Sequence, residues 1–245
     1  MSLIEVGTVS FLTSFIFALG GLGSAVILIP ILVFLGVPFN LARATGLFTN
    51  FISTSSVTLF NLQKKNVDFK TALPIILASI VFSPVGAYTS HILPERLVGI
   101  LFTAFLFFAG TMIYIPKKSI TKEEGNKAIL YSVLVGSIAG FISGLLGVGG
   151  GGIISPLLIL LGFDPKKVAS ITALTVPFSS FTGFIAYWKI GGIDWSLTLS
   201  AAIPAALAGY LAGYISHSYL KPSHVKKLLG ILFYILGIKF LLKYI

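Results

Sequence analysis

The chain carries one pattern twice, with the two copies 126 residues apart. The stretch 20-GGLGSAVILIP-30 returns as 146-LGVGGGGIISP-156, and the final prolines of the two stretches correspond. Further along, residues 88–91 (Tyr-Thr-Ser-His) return as residues 214–217 (Tyr-Ile-Ser-His). A duplicated apolar chain in which each half opens with a glycine-broken hydrophobic segment is typical of secondary transporters.

The composition indicates that the chain folds in a lipid bilayer. Of its 245 residues, 56% are hydrophobic and only 10% are charged, against about 25% charged in a soluble domain. A mean hydropathy of +1.01 would leave a very large apolar surface in contact with water. Apolar blocks of membrane-spanning length lie at 4–36, 41–62, 69–93, 97–115, 128–162, 167–188, 195–216 and 228–245. We therefore predict an all-α polytopic protein of the cytoplasmic membrane.

The first apolar block of each half is too long for one simple helix. Residues 4–36 contain a glycine-rich run at 20–23, and residues 128–162 contain the corresponding run. A glycine inside a helix costs about 1 kcal/mol relative to alanine, so such a run breaks the helix. We predict shorter helices that begin near Ser24 and near residues 150–151. Each broken block forms either a re-entrant hairpin or a tightly packed pair of crossings.

The distribution of basic residues between the two membrane sides distinguishes two possible topologies. If each first block crossed once, the repeats would be parallel, and the basic residues would divide 10 to 7 between the two sides. If each first block returned to its starting side or crossed twice, the repeats would be inverted, and the division would be 12 to 5. The loops that then share the basic side are 63–70, 116–127, 163–167 and 217–227.

The second division follows the positive-inside rule much better than the first. We therefore predict two inverted-topology repeats, residues 1–115 and 128–245. A polar cytoplasmic linker at 116–127 joins them, and both termini lie outside.

No acidic residue lies inside a predicted span. The acidic residues are Glu5, Asp68, Glu95, Glu123, Glu124, Asp164 and Asp194. An intramembrane proton relay or a metal-cation site needs ionisable residues within the membrane, so neither is predicted. The absence of cysteine excludes thiolate metal sites. The net charge of +10 comes from lysines in short loops, which reflects membrane topology and not nucleic-acid binding.

The glycine breaks are candidate anion sites. Helices that begin at mid-membrane present unpaired backbone N–H groups and about half a unit of positive charge each. Glycine also lets an anion approach the backbone closely. The alternative is that these residues only allow close helix packing. The candidate substrate-binding residues at the breaks are Gly21, Gly23, Ser24, Gly147, Gly149, Gly150 and Gly151.

A stripe of neutral polar side chains follows each break. The candidate substrate-binding residues on the two stripes are Thr45, Thr49, Asn50 and Ser53 in the first half and Thr172, Thr175 and Ser179 in the second. Their spacing places the hydroxyls of each stripe on one helical face. Hydrogen bonds back to their own helix are the alternative role. Two symmetry-related stripes favour the lining of a path, and donors without charge suit a weakly held oxyanion.

Three further ionisable residues lie near the ends of predicted spans. Arg43 lies just before the first stripe, where a basic residue either attracts an anion or extends its side chain to the membrane surface. We expect the second behaviour. His91 and His217 occupy equivalent positions at the ends of spans, and we expect both to be ordinary interfacial residues.

These features resemble a known family. The glycine-rich turn before Pro30, its duplicate before Pro156, and the stretches 44-ATGLFTNF-51 and 171-ITALTVPF-178 are similar to those of the TauE/SafE sulfite exporter family of membrane permeases. The resemblance covers about residues 5–245. It implies a transporter of sulfur oxyanions or organosulfonates such as sulfite, often assigned to export, and it supplies no motif that fixes the substrate. The first break departs from the second, because Ser24, Ala25 and Val26 replace three glycines there.

Sequence and resemblance together predict a secondary transporter that moves a small anion by alternating access around a site between the breaks. The alternative is a passive anion channel, which would share the dipoles and hydroxyls but conduct without saturation. No HExxH or Gly-x-Ser-x-Gly motif is present, so an enzyme is not predicted, nor is a cofactor. Coupling to protons, coupling to the membrane potential, and a homo-oligomeric state are left open.

Overall fold

The computed structural model describes residues 2–20, 23–63, 69–115, 126–163, 165–216 and 222–245. Within these ranges the chain forms ten helices and no strand. The helices are α1 (Leu3–Gly20), α2 (Ala25–Phe34), α3 (Phe39–Gln63), α4 (Phe69–Ile92), α5 (Glu95–Tyr114), α6 (Asn126–Leu146), α7 (Gly151–Leu160), α8 (Pro165–Ile190), α9 (Trp195–Ser216) and α10 (Pro222–Tyr244).

Five stretches of the described residues are long and apolar enough to cross a membrane. They are Thr71–Ile92, Glu95–Tyr114, Ile129–Leu146, Lys167–Ile190 and Trp195–Ala212. The predicted all-α, multi-pass membrane protein is therefore confirmed.

The two halves repeat the same order of helix lengths. In each half a long helix is followed by a short one, α2 or α7, of 10 residues. Ten helical residues span about 15 Å, so neither short helix crosses a hydrocarbon core of about 30 Å. Each is followed, two residues after its last helical residue, by a glycine with positive φ, Gly36 at 93° and Gly162 at 87°. This left-handed conformation suits glycine at the end of a helix.

Helices of one half pack mainly on helices of the other half. α4 lies along α6, α1 lies along α9, and α3 contacts both α8 and α9. The equivalent helices α3 and α8 run antiparallel, because Asn50 contacts Ser180 whereas Thr58, further along α3, contacts Ala173. The crossing brings the middle of α3 against the middle of α8.

Small residues allow α4 and α6 to touch through their backbones. The glycines of α6 at 136, 140 and 144 face, in turn, Ile75, Ser79 and Ser83 of α4. A Cβ on Gly140 would lie 2.7 Å from the Cα of Ser79, which leaves no room for a side chain. Close backbone contact of this kind is common between membrane helices. It also holds the C-terminal end of α6, from which the second glycine break begins.

Several helices begin or end at one end of the bundle, which we call the Pro94 end. Arg96 of α5 donates from its Nε to the carbonyl of Tyr244 at 3.0 Å and from a terminal nitrogen to that of Ile245. Lys243 donates from its Nζ to the carbonyl of Val33 in α2 at 3.2 Å. The start of α5 and the ends of α2 and α10 therefore meet there, beside Pro94.

Candidate functional site

The two glycine breaks meet inside the protein. The backbone nitrogen of Gly23, just before α2, lies 3.4 Å from the position that a Cβ on Gly151 would occupy. The amide of Asn50 fills the space beside both breaks. A Cβ on Gly23 would lie 2.6 Å from its Oδ1, and a Cβ on Gly149 would overlap its Nδ2. We call Gly23, Asn50 and residues 149–151 the glycine junction.

The second break needs glycine for its backbone conformation as well as for space. Gly147, Gly149 and Gly150 have φ values of 78°, 78° and 68°. L-residues adopt this left-handed region at a cost of about 1–2 kcal/mol each. Of the first break, Gly23 is described, whereas the predicted site residue Gly21 lies outside the described residues.

The short helices direct their N-terminal ends at the glycine junction. α2 begins after Ser24 and α7 begins after Gly150, and neither of these N-cap residues makes a side-chain capping hydrogen bond. The first-turn N–H groups are therefore left without a side-chain acceptor. Residues 23–30 and 143–154 are all buried. Two buried helix N-termini give this position a positive electrostatic character.

Buried polar atoms surround the junction. Asn50 donates from Nδ2 to the Oγ of Ser180 at 2.9 Å. In the described part of the chain, the Oδ1 of Asn50 and the Oγ atoms of Ser24 and Ser143 have no hydrogen-bond partner. All three residues are at most 2% exposed. A buried polar group without a partner costs about 1–3 kcal/mol, so these atoms are candidates for contact with a ligand.

The first predicted stripe faces α9 more than it faces the glycine junction. The Oγ1 of Thr45 lies 3.2 Å from the Oγ1 of Thr198 in α9. The backbone of Ser53 packs on α9, since a Cβ on Gly209 would lie 2.6 Å from its carbonyl oxygen. Thr49, between them on the stripe, is buried, and its Oγ1 has no partner among the described residues.

The second stripe is divided between two roles. Thr172 lies at the junction, because its Oγ1 is 3.0 Å from the Oγ of Ser155 in α7 and its methyl group borders Gly151. Ser179 borders Gly150, whose Cβ would lie 3.2 Å from the Ser179 Oγ. Thr175 instead donates to the carbonyl of Ile171 at 2.9 Å, which is the alternative role for a helical hydroxyl.

The expectation that Arg43 extends to the membrane surface is wrong. Its side chain is 1% exposed and lies among the helices, against Gly147 of the second break. Arg43 and Asn50 are seven residues apart in α3 and therefore share a helical face. That spacing was the available signal in the sequence. Ser143 carried no comparable signal, since it lies within the glycine-rich packing face of α6.

His91 and His217, two of the chain's three histidines, lie away from the glycine junction in the sequence. His91 is exposed in the last turn of α4. His217 lies outside the described residues.

Comparison with known proteins gives a family and several relatives. The sequence profile of the sulfite exporter TauE/SafE family matches residues 6–240. A probable membrane transporter protein of Methanocaldococcus jannaschii is 29% identical over 96% of this chain and 93% of its own length. One of Bacillus subtilis is 27% identical over 74% of this chain and 76% of its own length. Sulfite exporter TauE/SafE family protein 6 of Arabidopsis thaliana is 34% identical over 31% of this chain and 19% of its own length. No solved structure matches this chain.

Proposed function

Because the chain belongs to the sulfite exporter TauE/SafE family of membrane transporters, we propose that it moves a small anion across the cytoplasmic membrane. The proposed substrate class is a sulfur oxyanion or an organosulfonate such as sulfite. The observation that carries the proposal is the glycine junction, where two buried helix N-termini without side-chain caps meet beside Asn50.

The charges at the junction match a small anion. Each helix N-terminus contributes about half a unit of positive charge, so two of them balance a monovalent anion. The described acidic residues Glu5, Glu95 and Asp194 are all exposed, away from the junction. Ser24 and Ser143 have hydroxyls to donate, and rotation of the Asn50 amide would present its NH₂ group to an oxyanion. Binding would satisfy atoms that have no partner in the described structure.

We propose that the repeats are inverted and that each broken block is a re-entrant hairpin. The shortness of α2 and α7 supports the hairpins, and the antiparallel passage of α3 past α8 supports the inversion. Because α2 ends at the Pro94 end, its hairpin enters the membrane from that end, and the α6–α7 hairpin enters from the other. The two tips meet at the glycine junction, as in the transporters whose broken helices bind substrate near the midplane.

The basic residues support an orientation. The five that loop charges assign to the outer side are Arg43, Arg96, Lys189, Lys239 and Lys243. Each lies within about two turns of a helix end, and α3, α5, α8 and α10 have those ends at or near the Pro94 end. We therefore propose that the Pro94 end faces outward and that the linker at 116–127 is cytoplasmic.

The proposed mechanism is alternating access, in which the halves rock around the glycine junction and expose it to one side at a time. Moving one elementary charge through a potential of 100 mV changes its free energy by about 2.3 kcal/mol. The negative interior of a cell therefore drives an anion outward without a coupling ion. The proposed direction is export.

Ligand-dependent stability tests the anion site. The purified protein is heated in detergent with sulfite, thiosulfate, methanesulfonate, sulfate, phosphate and neutral solutes. A ligand present at 100 times its dissociation constant stabilises the fold by about 2.7 kcal/mol, which raises the unfolding temperature visibly. We expect a sulfur oxyanion to produce this rise and Asn50→Ala to abolish it.

Thr182→Ala is the matched control, because the Thr182 hydroxyl bonds only within α8, to the carbonyls of Phe178 and Ser179. The proposal would be contradicted if neutral solutes or cations raised the unfolding temperature and no anion did. Flux into proteoliposomes then separates transport from conduction. Saturation with substrate concentration supports a transporter, and unsaturated currents indicate a passive channel.

A further inference from the structure

Arg43 is a fully buried charge in a protein built for a bilayer. Its side chain is the largest of the fully buried side chains in the described part of the chain and is only 1% exposed. It lies on the same face of α3 as Asn50. A separation of seven residues along α3 places it about 10 Å from Asn50 toward the Pro94 end. Buried ionisable residues in membrane proteins are expensive and usually mark the path of an ion or a substrate.

The hydrogen-bond partners of Arg43 are all neutral. One terminal nitrogen donates to the Oγ of Ser90 in α4 and, at 3.1 Å, to the carbonyl of Leu145 in α6. The other terminal nitrogen donates to the Oδ1 of Asn40. These neutral partners therefore do not neutralise the guanidinium group, and its Nε–H has no acceptor among the described residues.

Two aromatic rings also lie next to the Arg43 guanidinium group. The guanidinium carbon lies 4.5 Å from the ring centre of Phe39 and 5.4 Å from that of Tyr187. Tyr187 in turn donates its hydroxyl to the carbonyl of Gly144 at 3.1 Å. Rings of this kind stabilise a cation modestly, by about 0.5–2 kcal/mol, and do not neutralise it.

No carboxylate of the described residues pairs with this charge. Glu95 is the acidic residue that interacts with Arg43 electrostatically, but it is exposed and accepts a hydrogen bond from the Tyr244 hydroxyl at 3.1 Å. The Glu5 carboxylate accepts from the backbone N–H of Ser2, just before α1, and the Asp194 carboxylate accepts from the Ser196 hydroxyl. Among the described residues, the buried cation therefore has no carboxylate partner, and a bound anion could take that place.

The repeat itself does not need an arginine at this position. The equivalent residue of the second half is Ala169, which is exposed and uncharged. Each half nevertheless forms five helices in the same order. The charge is therefore an addition to the duplicated fold and calls for an explanation outside packing.

Arg43 is also joined physically to the glycine junction. A Cβ on Gly147 would lie 2.7 Å from the Cβ and 2.9 Å from the Cγ of Arg43, so the stem of Arg43 packs on the second break. Two residues later, Gly149 packs on Asn50 in the same manner. One face of α3 therefore contacts the break at Gly147 and Gly149, with the guanidinium toward the Pro94 end and the amide at the junction.

We propose that Arg43 binds the negative charge of the substrate in a second subsite, between the glycine junction and the Pro94 end. An oxyanion there would accept from Nε and from the terminal nitrogen that donates to Asn40, in place of that neutral partner. A guanidinium suits this task because its planar donors match two oxygens at once. The inference rests on the proposed anion transport and adds the residue that selects by charge.

The first experiment compares ligands of similar shape and different charge. Dissociation constants are measured for dimethyl sulfone, methanesulfonate and sulfate, which carry no charge, one charge and two charges. Arg43→Gln is expected to weaken methanesulfonate binding by at least about tenfold and sulfate binding by more. It should leave dimethyl sulfone unchanged, and Arg43→Lys should recover most of the loss.

Arg96→Gln is the matched control, since it removes the same charge from the same end of the bundle, where Arg96 bonds only to the terminal carbonyls. It should bind all three ligands like the unchanged protein. A folded Arg43→Gln variant with unchanged anion constants overturns the role of Arg43 while leaving the junction as the anion site. Weakening that is equal for all three ligands overturns it too, because it indicates a structural role only.

The second experiment does not depend on the folding of an Arg43 variant. The chain contains only two arginines, Arg43 and Arg96, so an NMR spectrum of the arginine Nε–H groups has two signals. Arg96→Gln assigns them. Titration with sulfate should move the Arg43 signal and leave the Arg96 signal in place.

Anion binding by the unchanged protein with a static Arg43 signal overturns the subsite alone. If no anion binds the unchanged protein at all, the proposed function fails, and the subsite fails with it.

Discussion

Gly149→Ala tests the glycine junction, because Gly149 combines a left-handed backbone with a lack of space. Its φ of 78° costs an alanine about 1–2 kcal/mol. The new Cβ would also overlap the Nδ2 of Asn50 and lie 2.8 Å from the Oγ of Ser180. The amide must then rotate and give up its bond to Ser180, which leaves buried polar groups unpaired at about 1–3 kcal/mol. Together these terms predict a loss of about 2–5 kcal/mol.

Gly191→Ala separates the two terms. Gly191 has a φ of 88°, and nothing lies within 4 Å of the position of its missing Cβ. Its substitution therefore carries the conformational cost alone. The excess loss in Gly149→Ala measures the contact with Asn50. Combined with Asn50→Ala, which removes the overlapping amide, Gly149→Ala should cost less than it does alone, with a coupling of about 1–3 kcal/mol.

The assay is unfolding by SDS in mixed micelles, followed by the fluorescence of the two tryptophans, Trp188 and Trp195, whose rings lie 5.6 Å apart. Anion-dependent stabilisation is measured on the same samples. Gly149→Ala should lose this response and Gly191→Ala should keep it. The reasoning is refuted if the two variants lose equal stability and both still respond to the anion.

Two further predictions concern stability away from the junction. Gly144→Ala should lose more than about 1–3 kcal/mol in the same assay, because its Cβ would overlap the Ser83 carbonyl and force α4 and α6 apart. Gly192→Ala, whose Cβ would have an ordinary contact of 3.8 Å, is the control, and equal losses would disprove the close packing. Asp194→Ala should lose about 1 kcal/mol at neutral pH, because Asp194 caps α9. Hydrogen bonds from Ser196 lower the pKa of Asp194, so its stabilisation is present at neutral pH and disappears as the pH falls through that lowered pKa. A difference between the unchanged protein and Asp194→Ala that persists in acid would argue against the cap.

The breaks were predictable because glycine acts locally. A run of glycines ends a helix wherever it stands, and the 126-residue offset predicts that the same event happens twice. The structure accordingly begins α2 at Ala25 and α7 at Gly151. The all-helical, multi-pass architecture follows from apolar segments of spanning length, because a bilayer requires the backbone to satisfy its own hydrogen bonds.

The side chains that meet across helices were less predictable. The helical period shows that Thr45 and Ser53 share a face, but it does not show which neighbour covers that face. In the structure the neighbour is α9. The expectation for Arg43 is wrong for a related reason. Its place near a helix start predicts a surface position, whereas α4, α6 and α8 close around it.

The duplication is symmetric in its backbone and asymmetric in its chemistry. Asn50 corresponds to Val176, and Arg43 corresponds to Ala169, so the second half has no polar counterpart of these two side chains, which face the second break. Both also lie on α3, which contacts the tip of the α6–α7 hairpin from the opposite half.

A rocking motion between the halves would therefore have to pull α3 away from that tip, breaking the bond from Arg43 to Leu145 and the contact between Asn50 and Gly149. An anion that binds both subsites would oppose the separation, which makes α3 the element that couples substrate binding to access. Hydrogen exchange at the backbone amides of 145–152 measures this directly. Sulfate should slow exchange there in the unchanged protein but not in Arg43→Gln, and slowing of equal size in both would disconnect Arg43 from the motion.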